Sequence, residues 1–231
     1  MTEMEVSQHK GPHPGLLALV FTIIFNAGLY FVISFSGNRP HFPNPGDPAD
    51  TVSAYFRAQP QDVLLCAFLQ FGSAIPMGIF TAAVVSRLRF LGVRAAGAHI
   101  ALFGGFMLAL DQGISSLALW VMSYPGIAQD ASLTRALYYF VYAVGGVGYS
   151  VPLGRLIAGI SIPAGMMKLL PRWLVVFGIL LAICGEASWF SLLSLKLLFL
   201  IPLTRFPGFI WLIATGFLLP KAVGRETSVS A

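Results

Sequence analysis

Six long apolar runs, separated by short polar segments, account for most of the sequence. An α-helix needs about 20 residues to cross a hydrocarbon core of ~30 Å, and the runs are of that order. The pattern therefore predicts six membrane-spanning helices. The predicted spans are residues 15–35, 63–86, 98–122, 133–160, 173–194 and, after a turn near Pro202, a short sixth helix that ends at Leu219.

The first apolar run is too long for the apolar region of a signal peptide, and it contains no A-x-A cleavage site. We therefore expect a retained helix. Asn26 lies near its middle. An amide at that depth is expected to hydrogen-bond a neighbouring helix or, less commonly, to contact a substrate.

The longest polar segment, residues 36–62, contains five prolines, which exclude a regular helix from its first half. Asp50 is expected to cap a short helix that places Val52, Tyr55 and Phe56 on one side, as in a helix lying on the membrane surface. Two interpretations stay open: an ordered loop packed over the helix ends, and a lid over a pocket.

The composition agrees with a membrane protein, since 57% of the residues are hydrophobic and 10% are charged, with mean hydropathy +0.80. Soluble domains average about 25% charged residues. We predict an all-α, polytopic bundle of about six transmembrane helices over residues 15–220. Polar tails at 1–14 and 221–231 flank it.

The lysines and arginines predict the orientation. With both tails in the cytoplasm, eight basic residues lie inside and five outside, in line with the positive-inside rule. The inside set is Lys10, Arg87, Arg89, Arg94, Lys168, Arg172, Lys221 and Arg225, and the outside set is Arg39, Arg57, Arg135, Lys196 and Arg205. No basic stripe is interleaved with aromatic residues, so the expected partner is the lipid bilayer rather than nucleic acid.

Several classes of chemistry lack the residues that they need. Cys66 and Cys184 lie inside apolar runs without a C-x-x-C pattern, and packing roles are expected for both. The four histidines lie away from the centres of the spans, and no H-E-x-x-H motif occurs. We therefore expect no metal, no cofactor and no catalytic residue.

The second and fourth predicted helices share a pattern. Residues 72–84 and 148–160 match in glycine, proline, glycine and alanine at a constant shift of 76, and a basic loop follows each helix. The next helices share Phe-Gly at 103–104 and 177–178. This indicates parallel copies of the hairpin formed by helices two and three and the hairpin formed by helices four and five. Pro76 and Pro152 are then expected to kink the paired helices at one depth.

Three ionisable residues fall inside the predicted spans: Asp111, Arg155 and Glu186. Such residues are costly in a bilayer and normally face the bundle interior. At about 1.5 Å per residue, both carboxylates lie roughly 20 Å from the cytoplasmic end and Arg155 about 7–12 Å from it. Gln112 is aligned with Glu186 in the repeat.

Two interpretations of these charges stay open. In the structural one, Arg155 pairs with Asp111 or Glu186 and fixes helix register. In the functional one, the carboxylates bind a proton or cation, and Arg155 holds an anionic substrate beside kinked helices.

The run FLQFGSAIPMGIFTAAVVSRLRFLGVRAAG, with LLPRW at 169–173 and RFPGFIWLIATGFLLP at 205–220, resembles a family of bacterial six-helix integral membrane proteins classed as a domain of unknown function. The likeness covers the chain from about residue 49 to 220. It implies a protein of the bacterial cytoplasmic (inner) membrane and supplies no catalytic residues.

The sequence leaves three functional hypotheses. The first is a small secondary transporter or permease-like protein that uses Asp111, Arg155 and Glu186 on a small solute or proton. The alternative is a structural or accessory subunit whose small-residue helix faces pack against another membrane protein. The third, an intramembrane enzyme acting on lipid, has no nucleophile with an adjacent base to rest on.

Overall fold

The computed structural model describes residues 4–33 and 41–226, which form a helical bundle with one short β-ribbon. Six spans within these residues are long and apolar enough to cross a membrane, which confirms the predicted fold class. The helices are α1 (Pro14–Val32), α2 (Ala49–Ala58), α3 (Pro60–Phe90), α4 (Gly97–Met122), α5 (Ala131–Tyr142), α6 (Gly148–Met166), α7 (Arg172–Ala187) and α8 (Leu200–Leu218). A π-helical turn, Ala143–Val147, joins α5 and α6 into one span.

The spans form a closed ring. Each packs against the next in the order α1, α3, α4, α6, α7 and α8, and α8 returns to α1. The centre of the ring is filled by fully buried side chains such as Phe80, Leu153 and Trp211. The connections between successive spans therefore alternate between the two sides of the bundle. All six spans surround the interior of the ring.

Glycines set the close crossing of α4 and α6. A β-carbon on Gly104 would lie 2.7 Å from the backbone nitrogen of Leu156, and one on Gly159 would lie 2.5 Å from the nitrogen of Ala101. No larger residue fits at either position without moving a backbone. Gly104 and Gly159 thus bring α4 and α6 into backbone contact.

Two helix ends differ from prediction. Helix α6 continues through Pro163 to Met166 instead of ending at about 160–163. Pro163 has no N–H to donate to the carbonyl of Gly159, four residues earlier in the helix. That carbonyl faces Gly97 at the start of α4. Helix α8 begins at Leu200, so Pro202 lies in its first turn, where a missing N–H costs nothing, and the turn comes earlier, around an extended Ser194.

The two tails contribute a ribbon that the sequence pattern did not predict. Strand β1 (Met4–Gln8) pairs antiparallel with β2 (Ala222–Glu226), and the next residue continues the pairing, since the His9 amide donates to the Lys221 carbonyl over 2.9 Å. We call this pair the terminal ribbon. It puts both tails on one side of the bundle, hereafter the terminal side, and the opposite side is the distal side.

Side chains tie the terminal ribbon to the bundle. His9 Nε2 lies 3.0 Å from the hydroxyl of Ser86, and the Arg87 guanidinium donates to the Leu219 carbonyl over 3.4 Å. Burial, and then the nearby charge of Arg87, hold the pKa of His9 below its ordinary value. His9 therefore adds no second positive charge beside the buried arginine at neutral pH.

On the distal side, helix α2 lies over the bundle as an amphipathic segment. Val52, Tyr55 and Phe56 are buried, which confirms the side predicted for the short helix. The cap is different: Pro48 is the N-cap residue, and Asp50 lies in the first turn without a side-chain capping bond. Phe42 packs edge-on against Tyr55, so the segment before α2 is held down by aromatic contacts.

Candidate functional site

The predicted charged residues separate into one pair and one isolated carboxylate. Arg155 Nε lies 3.3 Å from a carboxylate oxygen of Glu186, so Glu186 is the partner of Arg155. The two side chains remain 37% and 45% exposed, on the outer face of the ring between α6 and α7. Because α6 extends to Met166, Arg155 lies about 16 Å from the terminal end, deeper than predicted.

Asp111 does not join this pair. A β-carbon on Gly148 would lie 3.3 Å from its Oδ2, which places the carboxylate against the first turn of α6, seven residues before Arg155. Asp111 is half-buried, and within the described residues it makes no hydrogen bond or ion pair. Asp111 and Glu186 were predicted to lie at the same depth, but the two carboxylates do not share one site.

The two predicted amides have structural contacts. The side-chain nitrogen of Asn26 donates over 2.8 Å to the carbonyl of Thr22, in its own helix, so the expected bond to a neighbouring helix is not found among the described residues. Gln112 links α4 to α3, because its amide nitrogen donates to the Gln70 carbonyl over 2.8 Å and to the hydroxyl of Ser73.

Pro76 and Pro152 lie inside α3 and α6, and both helices continue through them. Their glycine neighbours differ, however. A β-carbon on Gly78 would meet nothing within 4 Å, whereas one on Gly154 would lie 3.0 Å from the carbonyl of Ala182. The two copies of the sequence pattern therefore pack in different surroundings, and common ancestry of the hairpins stays a prediction.

A fourth intramembrane ion, Arg205, lies inside the ring. The charge pattern predicted it among the outside basic residues, at the membrane surface. Instead it is the sixth residue of α8, about 8 Å along the helix from the distal end. Its guanidinium lies over the ring of Tyr149 at 4.3 Å from the centroid and 5.5 Å from that of Phe25. Two aromatic rings thus contact the Arg205 guanidinium.

The π-helical turn supplies the polar contact of Arg205. Its guanidinium donates to the carbonyl of Gly145, in the middle of the turn. A π-turn contains an extra residue, which offsets its backbone bonds, and such turns are frequent at functional sites. A larger residue at Gly145 would displace the hydroxyl of Ser115, which lies against this position.

Arg205 and the π-turn form one wall of a cavity of about 290 Å³ in the distal half of the ring. We call it the Arg205 cavity. The other walls are mostly apolar, and Gln70, Ser115 and Tyr142 add polar groups. The lining residues are Leu29, Val32, Ile33, Phe42, Cys66, Gln70, Ser115, Leu119, Val141, Tyr142, Gly145, Gly146, Ile201, Pro202, Arg205 and Phe206.

The cavity carries an uncompensated positive charge. No carboxylate lies within 4.0 Å of the Arg205 guanidinium among the described residues, and no acidic side chain lines the cavity. The Arg205 Nε is buried and has no hydrogen-bond partner in the described part of the chain. A charged group inside a membrane protein is costly unless it is paired, so this arginine lacks the counter-charge that its position calls for.

Phe42 connects the cavity to the distal covering segment. It lines the cavity and contacts the buried ring of Tyr138, whose hydroxyl donates to the carbonyl of Pro43. Phe42 therefore contributes to the cavity wall, and Pro43 anchors it to α5. Residues 36–40 of the segment lie outside the described residues, so the loop and the lid both stay open as interpretations.

Sequence reasoning missed this site for one reason. The turn was placed near Pro202, and that put Arg205 at the membrane surface. The usable signal was the apolar stretch on each side, at 197–203 and 206–220, which leaves the arginine inside a span.

Within the described residues, no group of three or more His, Cys, Asp or Glu side chains is placed to hold a metal ion. Comparison with protein-family models, with curated proteins and with solved structures gives no match to this chain. The residues themselves therefore carry the functional argument.

Proposed function

We propose that this protein is a small permease-like membrane protein that binds an organic anion in the Arg205 cavity and passes it across the bilayer. The observation that carries the proposal is the half-buried Arg205 side chain, which lines a cavity and has no carboxylate partner among the described residues. An anionic ligand would supply the missing counter-charge.

The donor geometry favours a carboxylate. One terminal guanidinium nitrogen donates to the Gly145 carbonyl, and the other makes no hydrogen bond within the described residues, whereas the Nε is too buried to reach a ligand. Guanidinium groups bind planar carboxylates through two parallel hydrogen bonds. The side-chain amide of Gln70 also lines the cavity and makes no hydrogen bond within the described residues, so it is available to a ligand.

The size and the walls of the cavity limit the ligand. Ligand pockets commonly measure about 300–1,000 Å³, and 290 Å³ lies at the small end. Leu29, Phe42 and Leu119 make the remaining walls apolar. The proposed ligand class is therefore a short aliphatic or aromatic monocarboxylate.

Thermal unfolding of the purified protein with acetate, butanoate, benzoate and inorganic phosphate tests binding. We expect butanoate or benzoate to raise the midpoint in the wild type, because a ligand that binds only the folded state stabilises it. Arg205→Gln should abolish the increase. Arg155→Gln is the matched control, since it removes an equal charge from a span outside the cavity and should keep the increase.

Uptake of the same anions into proteoliposomes tests transport. Asp111 is the candidate for a coupled proton, since it is the half-buried carboxylate without a partner among the described residues. Asp111→Asn should then remove the response of uptake to a pH gradient while leaving anion binding intact. Binding that persists in Arg205→Gln, or a wild type that binds none of the anions, would contradict the proposal.

The accessory function remains the second candidate, and the exposed position of the Arg155–Glu186 pair favours it. A half-exposed ion pair on the lipid-facing surface is costly alone and would be covered by a partner helix. In that case anion flux is absent, and Glu186→Gln weakens assembly with a co-purifying membrane protein.

We further propose the bacterial cytoplasmic membrane as the location, with the terminal side in the cytoplasm. The basic residues support this orientation, since Arg89, Arg94, Lys168 and Arg172 all lie in or beside terminal-side connections. Cysteines placed at Arg57 and Arg89 should be labelled from opposite sides of the membrane. Labelling of Arg57→Cys from the cytoplasm would overturn the orientation.

A further inference from the structure

A second polar feature lies outside the ring, where the connection between α3 and α4 meets the lipid-facing surface of α4. The Arg89 guanidinium lies 2.8 Å from Nε2 of His99, and both side chains are exposed. Since a guanidinium has no acceptor, His99 accepts in this contact. The histidine thereby holds the arginine at the terminal end of α4.

Directly below His99 is an apolar surface groove, which we call the α4 groove. It is formed by His99, Leu102, Phe103, Phe106, Met107 and Leu110. These residues follow the i, i+3, i+4, i+7 spacing of one helix face, and the groove extends about 16 Å towards the bilayer centre. It is continuous with the basic group at its upper end.

Along residues 63–110 the charged side chains have one sign. No Asp or Glu occurs between Asp62 and Asp111, whereas Arg89 and Arg94 are both exposed within that interval. Basic side chains next to a membrane-spanning surface attract anionic lipid headgroups. An occupant therefore needs a negative head at the depth of Arg89 and an apolar chain that points towards the bilayer centre.

We propose that the α4 groove is a binding site for an anionic phospholipid of the terminal-side leaflet, with the phosphate on Arg89 and one acyl chain along Phe103 and Phe106. The proposal is independent of the Arg205 cavity, which lies in the distal half of the ring. It assigns a stable lipid neighbour to α4, the helix that packs against both α3 and α6.

Native mass spectrometry of the purified full chain tests the site. Equal amounts of phosphatidylglycerol and phosphatidylcholine are added in detergent, and retained lipid is measured at increasing concentration. We expect preferential retention of phosphatidylglycerol in the wild type. Arg89→Ala should weaken it about tenfold, the amount expected for one hydrogen bond to a charged group.

Arg172→Ala is the matched control. Arg172 is an exposed arginine on the terminal side, at the first residue of α7, so its removal lowers the surface charge equally and leaves the groove intact. Its phosphatidylglycerol affinity should equal that of the wild type. Equal losses in the two variants would show attraction by surface charge alone and would overturn the site.

Two further measurements separate the contributions of head and chain. Dihexanoyl phosphatidylglycerol should bind more weakly than the dioleoyl lipid, and glycerol phosphate should not compete. Competition by glycerol phosphate would show a free-phosphate site and contradict the role of the groove. His99→Gln keeps Arg89 but removes the imidazole that holds it, so its loss of phosphatidylglycerol affinity should be smaller than that of Arg89→Ala. Equal retention of both lipids by the wild type would refute the proposal.

Discussion

Arg155 and Arg205 are both arginines inside membrane-spanning helices, yet their surroundings are opposite. Arg155 lies on the outside of the ring, half-exposed, with the carboxylate of Glu186 at 3.3 Å. Arg205 lies inside, against the rings of Tyr149 and Phe25, and its polar contact is a backbone carbonyl. The ion pair gives Arg155 a structural role, whereas Arg205, beside a cavity and without a carboxylate partner among the described residues, is the candidate for ligand binding.

The comparison also separates two ways of stabilising an arginine in a bilayer. A carboxylate neutralises the charge completely, but aromatic faces and a carbonyl dipole offset it only in part. Under the proposed function, this incomplete compensation at Arg205 is the source of the free energy of anion binding.

The largest expected effect is at Arg205. Arg205→Leu should weaken anion binding about 100-fold, since it removes a two-bond contact to a carboxylate. It should change the stability of the empty protein much less, because losing the contacts to Gly145 and Tyr149 is offset by the removal of a desolvation cost. Ligand-dependent and ligand-free unfolding midpoints in detergent measure both quantities. A large loss of ligand-free stability would show that Arg205 is mainly structural.

The next effect tests how the backbone of Arg155 is held. Gly104→Ala adds a β-carbon 2.8 Å from that of Arg155, and overpacking of this kind costs about 1–3 kcal/mol. Gly78→Ala is the control, because open space surrounds Gly78 and helix propensity should raise stability by about 0.5–1 kcal/mol. Reversible unfolding in mixed micelles measures the difference in sign. If Gly104→Ala raised the unfolding free energy, as Gly78→Ala should, the α4–α6 crossing would not be tight.

A smaller effect is expected for the ion pair itself. Arg155→Leu should cost about 1 kcal/mol, a value reduced for the partial exposure of both side chains, because it leaves Glu186 without its partner. Adding Glu186→Leu should restore most of the loss. A double-mutant cycle on unfolding free energies measures the coupling, and additive losses would mean that the pair does not contribute.

The smallest effect concerns the aromatic contact of Arg205. Tyr149→Leu removes a cation–π interaction of about 1 kcal/mol and should change anion affinity only several-fold. Tyr149→Phe keeps the ring and removes a buried hydroxyl that has no partner, so affinity should stay the same. Isothermal titration of both variants measures this. A loss in Tyr149→Phe would instead give the hydroxyl a role in binding.

The sequence was sufficient for the six spans, because a span of about 20 apolar residues is a local property. It also narrowed the partner of Arg155 to two carboxylates. It did not predict the π-turn at 143–147, since that turn depends on Ser115 and Arg205 packing against it from other helices. Arg205 itself was missed because a misplaced helix start of a few residues moved it from the interior to the surface.

The β-ribbon was missed for a related reason. Residues 4–8 alternate apolar and polar side chains over four positions only, residues 222–226 do not alternate, and each strand exists through the other. Pairing between segments so distant in sequence is not encoded in either one alone.

This ribbon has a consequence for how the protein is made. Strand β1 is synthesised first, but β2 follows the sixth span, so the two can pair only after all the spans have entered the bilayer. A ribosome-stalled or truncated chain therefore leaves β1 without its partner strand. Cleavage within the amino-terminal strand thus reports on unfinished insertion, and its protection reports that biogenesis is complete.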